Sequence, residues 1–325
     1  MPRQARLDAP GTLHHVMIRG TEGQVIFRED KDRQNFLSRV TQISEDTGAR
    51  IVAWALMSNH VHMLMFSGVQ GISKFMRRLL TGYAVWYNRK YHRSGHLFQN
   101  RYKSIVCEEE TYLLELVRYI HLNPIRGALV KNMEELDCYP WTGHRVLIGR
   151  SKNDWQERDY VLRRFGEAEG KAVRDYRRFM KEGEAQGRRN DLIGGGLVRS
   201  LGGWSQVLSL RGKKERRSHD ARVLGGEDFV AEILKEADKR LTRQLQWGER
   251  RNPIDQVIKK VCKEEGVEEA ELRNGGKRRK VSQIRAKICF HLSHEMGVPF
   301  AEIARHVGVC TSAVAKAVGS LEYDR

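Results

Sequence analysis

RIVAWALMSNHVHMLMF, residues 50–66, reads as two strands folded back on one another. Arg50–Met57 and Val61–Phe66 are apolar runs of strand length, and Ser58-Asn59-His60 between them is a hairpin signal. Successive side chains of a strand point to opposite faces, so His60 and His62 share one face and Val61 takes the other.

Working outward, Leu13–Arg19 (LHHVMIR) is a further strand, followed by a glycine-containing turn. Glu29–Asp46 opens with acids and repeats apolar residues at Phe36, Val40 and Ile43, the spacing of an amphipathic helix with a favourable N-terminal charge. Ile72–Tyr91 is a second long helix, Tyr102–Cys107 a short strand, and Glu108–Leu122 a third helix that again starts with acids. The order β-α-β-β-α-β plus a helix predicts an α+β fold: a ferredoxin-like antiparallel sheet with helices on one face. This unit occupies residues 1–150. Residues 151–250 read as a helical extension and connector, with helical stretches at Trp155–Phe165, Ala172–Glu182 and Glu227–Leu245 and a Gly-rich segment at Ile193-Gly194-Gly195-Gly196. Residues 251–325 read as a third, all-helical domain, with helices at Pro253–Glu265, Val281–Met296, Phe300–Val307 and Thr311–Glu322.

A chain of 325 residues accommodates two or three such cores. No apolar run approaches the ~18 residues of a membrane span. The start, MPRQARLDAPGTLHH, lacks the apolar core of a secretory signal, so the expected location is cytoplasmic. The five cysteines are scattered with no two-residue spacing, which suits free thiols rather than a zinc or redox site. Net charge is +17, which points to a polyanionic partner. Between Asp46 and Glu108 there is no acid at all, while Arg50, Lys74, Arg77, Arg78, Arg89, Lys90, Arg93, Arg101 and Lys103 fall there. A one-signed surface of this kind suits phosphate binding, because each neutralised phosphate releases counterions.

Two imidazoles on one strand face can share a divalent metal. Taken alone, the pattern also fits two histidines at a hairpin edge. On the third helix Tyr119 and Asn123 are four apart and stack on one face. Pro124 disfavours helical geometry at Asn123, so the helix is expected to end there with the amide at an exposed end, where its oxygen can complete a two-histidine metal site. The same pair also fits a core tyrosine followed by a capping amide. His121 lies about 200° around the helix from Tyr119 and is expected to point away. His14, His15, His92 and His96 suit structural or phosphate-facing roles. A phenol, with its ordinary pKa of about 10, needs help to attack phosphate at neutral pH, and a metal that polarises the phosphate gives it.

These residues resemble a known family. His60-Val61-His62 resembles the His-hydrophobe-His motif of the HUH single-strand DNA nucleases. Arg118-Tyr119-Ile120-His121-Leu122-Asn123-Pro124, with Ile125-Arg126-Gly127, is similar to the catalytic-tyrosine segment of the REP-associated tyrosine transposases. So are His15-Val16 with Arg19-Gly20, the run Gly95–Lys103, and Tyr139-Pro140-Trp141-Thr142. The resemblance spans roughly residues 10–150. It implies that His60 and His62 hold Mg²⁺ or Mn²⁺ with Asn123 as third ligand. It further implies that Tyr119 forms a 5′-phosphotyrosine, and that the substrate is single-stranded or hairpin DNA. Insertion-sequence relatives usually carry Gln as the third ligand; Asn123 is shorter.

Arg19, Arg77, Arg78, Arg101, Lys103 and Arg126 are the candidate DNA contacts of the first domain. Tyr83, Trp86, Tyr87 and Tyr91 have helical spacing and suit a core. At the other end, Phe300–Val307, Gly308 and Thr311–Glu322 have helix-turn-helix spacing, with Thr311, Ser312 and Lys316 on the recognition helix and the basic run Lys277–Lys280 placed to clamp phosphate. The segment from about Lys280 to Leu321 resembles the DNA-binding domain of the replication initiator DnaA, which implies duplex DNA as a partner. The resemblance admits a monomer or a homodimer. Three functions compete: a tyrosine strand transferase, a DNA-binding regulator with a non-catalytic hairpin-binding domain, and a metal-dependent nuclease that hydrolyses without a covalent intermediate.

Overall fold

In the computed structural model, described for residues 7–8, 10–69, 71–99, 101–187, 189, 192, 220, 222–237, 253–276, 278–296 and 298–323, the chain divides into two compact units. One comprises Met1–Phe75 with His96–Asp238, the other Met76–Gly95 with Lys239–Arg325.

The first unit is built on β1 (Leu13–Arg19), α1 (Asp30–Thr47), β2 (Arg50–Leu56), β3 (His60–Phe66), the start of α2 (Gly71–Lys90), β4 (Lys103–Cys107) and α3 (Glu109–His121). Four of its strands pair antiparallel in the order β2-β3-β1-β4, the ferredoxin-like arrangement. A fifth strand, β5 (Val223–Leu224), pairs parallel to β4. The sheet is therefore mixed rather than purely antiparallel. Its fifth member comes from about 115 residues downstream, which no local pattern announces.

Helices on one face only would leave alternate strand residues wet. Every residue of β3 from Val61 to Phe66 is buried instead, so both faces of the sheet are covered. The composition explains this: Val61, Met63 and Met65 make one face apolar, and Leu64 and Phe66 the other. Helix α3 packs Leu116, Val117 and Ile120 on the face of Leu13, Leu64 and Ile105. The same cluster takes in Val161 and Leu162 of the helix Arg158–Leu162 and Tyr176 and Met180 of the helix Glu169–Glu184.

Helix ends are fixed by side chains. Asp32 accepts from the backbone N–H groups of Arg28 and Glu29 (2.7 and 3.1 Å), and Glu29 completes a capping box for α1. Asp8 accepts from Ile72 N–H and Ser73 N–H (2.5 and 3.0 Å), satisfying the first turn of α2 from 64 residues away. Residues 227–237 are helical; the remainder of the expected Glu227–Leu245 helix and the Gly-rich run at 193–196 lie outside the described residues.

The second unit contains α2 from Met76 onward and helices at Pro253–Glu265, Glu269–Arg273, Arg279–His294, Phe300–Val307 and Thr311–Tyr323. Ile258, Leu272, Ile284, Ile288, Ile303, Val307 and Val314 form its core. Gly308 turns the chain between the last two helices with φ +67°, and a Cβ there would meet the Arg273 carbonyl oxygen at 1.6 Å. Glycine is the residue that fits this turn.

Candidate active site

The antiparallel register of β1 on β3 sets the site. Met17 lies opposite His62 and His15 opposite Leu64. His15 and His62 are thus diagonal neighbours on one face, within reach of long side chains. His15 Nε2 and His62 Nδ1 are 3.0 Å apart. Next along β3, His60 places its ring 5.2 Å from that of His62. The Asn59 amide is oriented by donating to the Gly23 carbonyl (3.0 Å), so its oxygen faces His60 Nδ1 at 2.7 Å. His60 therefore carries its proton on Nδ1 and leaves a lone pair on Nε2. Neither His60 Nε2 nor His62 Nε2 has a protein hydrogen-bond partner among the described residues.

Both rings are held neutral. Burial, reinforced by Arg19, lowers the pKa of His60 to about 4. Burial, with His15 and His60, lowers that of His62 well below its ordinary value. A neutral imidazole with a free Nε2 lone pair is the form that binds a metal, and His62 offers one when its Nδ1–H donates to His15 Nε2. The two rings fit a pair of ligands to a divalent ion. Among the described residues no group of three His, Cys, Asp and Glu side chains is placed to hold one, so further donors have to be amide, water or substrate oxygens.

Tyr119 of α3 meets this face edge-on. Its ring centroid lies 5.8 Å from those of both His15 and His62, at interplanar angles of 72° and 80°. Tyr119 and His62 are each 7% exposed, so the phenol and the imidazole sit at a similar shallow depth.

Asn123 differs from its sequence-based expectation. It is buried rather than exposed, and the chain turns helical again at α4 (Asn123–Arg126), with Pro124 in the first turn, where its missing N–H costs nothing. The Asn123 amide nitrogen donates to the carbonyls of Tyr119 and Ile120 (3.0 and 3.4 Å) and so closes the end of α3. Its oxygen is the only part of the amide left for a ligand.

Arg126 donates from Nη1 to the Tyr119 carbonyl (3.2 Å), with its guanidinium 5.2 Å from the centre of the Tyr119 ring. Arg19 is exposed at the end of β1 opposite His60, and Arg101 and Lys103 are exposed at the start of β4. Arg77 and Arg78, half-buried on α2, belong to the second unit. Thr311, Ser312 and Lys316, also of the second unit, are exposed at the start of the last helix. Of the basic run, Lys277 lies outside the described residues, and Arg278 is paired with Glu271.

His121 belongs to another cluster. Its Nδ1 lies 2.9 Å from the Tyr176 hydroxyl, which is 2.9 Å from His144 Nδ1, and His144 Nε2 is 2.8 Å from Asp137 Oδ1. All four are buried. Sequence reasoning passed over His15 as a site residue. The signal for it was present in the strand pairing: with β1 antiparallel to β3, His15 and His62 fall on the same face.

The sheet order, with a histidine pair on β3 and a helical tyrosine against the same face, defines an α+β protein. Residues 11–123, from β1 to the amide that ends α3, match the family described as transposase IS200 like. Among solved structures, that of a REP-associated tyrosine transposase bound to a REP hairpin is similar at 16% identity, over 49% of this chain and 98% of that one, with a TM-score of 0.37. Among curated proteins nothing matches.

Proposed function

We propose that this protein cuts and rejoins single-stranded or hairpin DNA through a covalent bond to Tyr119. The observation that carries the reading is the geometry at β3: two neighbouring neutral imidazoles with unclaimed Nε2 atoms, one of them, His62, against the ring of Tyr119, inside the span that matches a transposase family. His60 and His62, with the Asn123 oxygen, would hold Mg²⁺ or Mn²⁺. Such an ion, when bound, withdraws charge from the phosphate under attack.

The Tyr119 hydroxyl oxygen forms a bond to phosphorus as the bond from phosphorus to the 3′ oxygen breaks. The phenolic proton passes to solvent and the departing 3′ oxygen takes one up. The 5′-phosphotyrosine conserves the energy of the broken bond, so a later 3′ hydroxyl reseals DNA with no further energy source. Exposed Arg19, Arg101 and Lys103 would track the backbone of the strand, as would Arg77 and Arg78 of the second unit. Thr311, Ser312 and Lys316 would meet duplex DNA from the last helix, whose tight glycine turn gives the helix-turn-helix reading its support.

Denaturing electrophoresis tests this. The full chain is incubated with labelled hairpin-tailed single-stranded DNA and Mn²⁺ and examined for a DNA-linked protein band. The band is expected with the wild-type chain and absent with Tyr119→Phe, while DNA binding persists in both. Cleavage without an adduct would favour a hydrolytic nuclease, and binding without cleavage a DNA-binding regulator. A band that survives in Tyr119→Phe would overturn the assignment of the nucleophile.

A further inference from the structure

Beside Tyr119 the charges do not balance. Three arginines, Arg118, Arg126 and Arg189, surround one carboxylate, Glu115. Glu115 is already taken. Arg118 Nη2 donates to both of its oxygens (2.6 and 2.8 Å), and Arg189 Nη1 donates to Oε2 (2.9 Å). Among the described residues Arg126 has no ion pair, and its one hydrogen-bond acceptor is the Tyr119 carbonyl. Its Nε–H is buried with no acceptor. Burial lowers its pKa, Tyr119 and Glu115 counteract this, and Arg189 and Arg118 lower it further. The molecule thus keeps a half-buried cation, with donors to spare, over the ring of the residue assigned as nucleophile. A guanidinium in this state is matched by a group that offers two acceptor oxygens and a negative charge.

Building on the covalent reading above, we propose that Arg126 grips the non-bridging oxygens of the phosphate that Tyr119 attacks, and then those of the phosphotyrosine. The diester carries one negative charge before attack and gains another as the fifth oxygen adds. A cation fixed in place beforehand therefore binds the transition state more tightly than the substrate. The other DNA-contacting cations proposed for the first unit are exposed and lie at strand ends, where they suit the backbone at large. Arg126 alone among them also touches Tyr119.

Two measurements test this, one of which does not depend on cleavage. In EDTA, the full chain labelled with ¹⁵N-arginine is titrated with inorganic phosphate. The Nε–H resonance that is missing from Arg126→Gln is expected to shift and saturate, and chloride at equal ionic strength is expected to leave it in place. A resonance that phosphate does not move would overturn the proposal. In the adduct assay at saturating hairpin DNA, Arg126→Gln is expected to slow covalent attachment about 100-fold, with a melting temperature close to wild type. Arg126→Lys, which keeps the charge without the fork, is expected to fall between the two and serves if the Gln variant does not fold. An unchanged attachment rate in Arg126→Gln would also sink the proposal while leaving Tyr119 as nucleophile. A phosphate-shifted resonance in a chain that forms no adduct would uphold the anion site and remove the covalent reading.

Discussion

Helix α3 delivers two ring side chains, two residues apart, into two different histidine clusters. Tyr119 meets His15 and His62 on the sheet; His121, about 200° around the helix, meets Tyr176 and, through it, His144 and Asp137. In both clusters burial lowers imidazole pKa values, those of His60 and His62 in the first and of His121 and His144 in the second. They differ in where the lone pairs go. In the second cluster Asp137 accepts from His144 Nε2–H, so His144 Nδ1 accepts from the Tyr176 hydroxyl, whose oxygen in turn accepts from His121 Nδ1–H. Three contacts pair the polar atoms between His121 and Asp137, Arg177 clamps the far carboxylate oxygen at 2.5 Å, and the atom left over, His121 Nε2, is fully buried with no partner among the described residues. In the first cluster the hydrogen bonds stop at the Nδ1 atoms, and the Nε2 atoms of His60 and His62 are left over. A chain of neutral histidines whose one spare nitrogen is sealed in the core holds a helix in place; one whose spare Nε2 atoms are not sealed off can bind a ligand.

The largest expected effect is on chemistry. His60→Ala should slow adduct formation by about 1000-fold, equal to the several kcal/mol that a bound metal contributes, and change unfolding free energy by less than about 1 kcal/mol. Quenched-flow rates beside urea melts measure both; equal losses in rate and stability would erase the distinction between the clusters. Tyr176→Phe should do the reverse. It strands His121 Nδ1 and His144 Nδ1 without a partner, and should cost about 1–3 kcal/mol of stability. The folded fraction should still form adduct at the wild-type rate. A tenfold loss of rate in a well-folded Tyr176→Phe chain would mean that the closed cluster also tunes Tyr119.

A smaller effect concerns pH. The unfolded chain takes up histidine protons below about 6.5. The folded chain resists, through burial, down to about 4 at His14, and His121 is likewise held well below its ordinary value. Acid therefore favours unfolding across that window, by up to about 1.4 kcal/mol per pH unit for each such group. The stability lost there is present above 6.5. His121→Asn should flatten the dependence by one histidine's share in pH-jump denaturation. An unaltered slope would show that His121 is not among the groups that resist protonation.

Much of this site was legible before the fold was. Alternation in residues 50–66 placed His60 and His62 on one face, because that relation is fixed by local periodicity. The direction of His121 followed from the same 200°. What escaped is set by long-range pairing. His15 reaches His62 only through the register of β1 on β3, and Tyr176 reaches His121 across 55 residues. Asn123 was misplaced for a different reason: the rule that a residue before proline leaves the helix was overridden by a second helical turn that starts at Asn123 itself.

β5 is two residues long, yet it changes the character of the sheet. Val106 N–H donates to the Arg222 carbonyl and Glu108 N–H to that of Leu224, both at 2.8 Å. Val223 packs with Val106, Val230 and Ile233. Without this strap, β4 would end the sheet as an open ladder that invites a strand from another molecule. A version of the chain cut after Gly149 would retain His60, His62 and Tyr119 and still be prone to self-association, since the piece that seals its border is encoded beyond the cut.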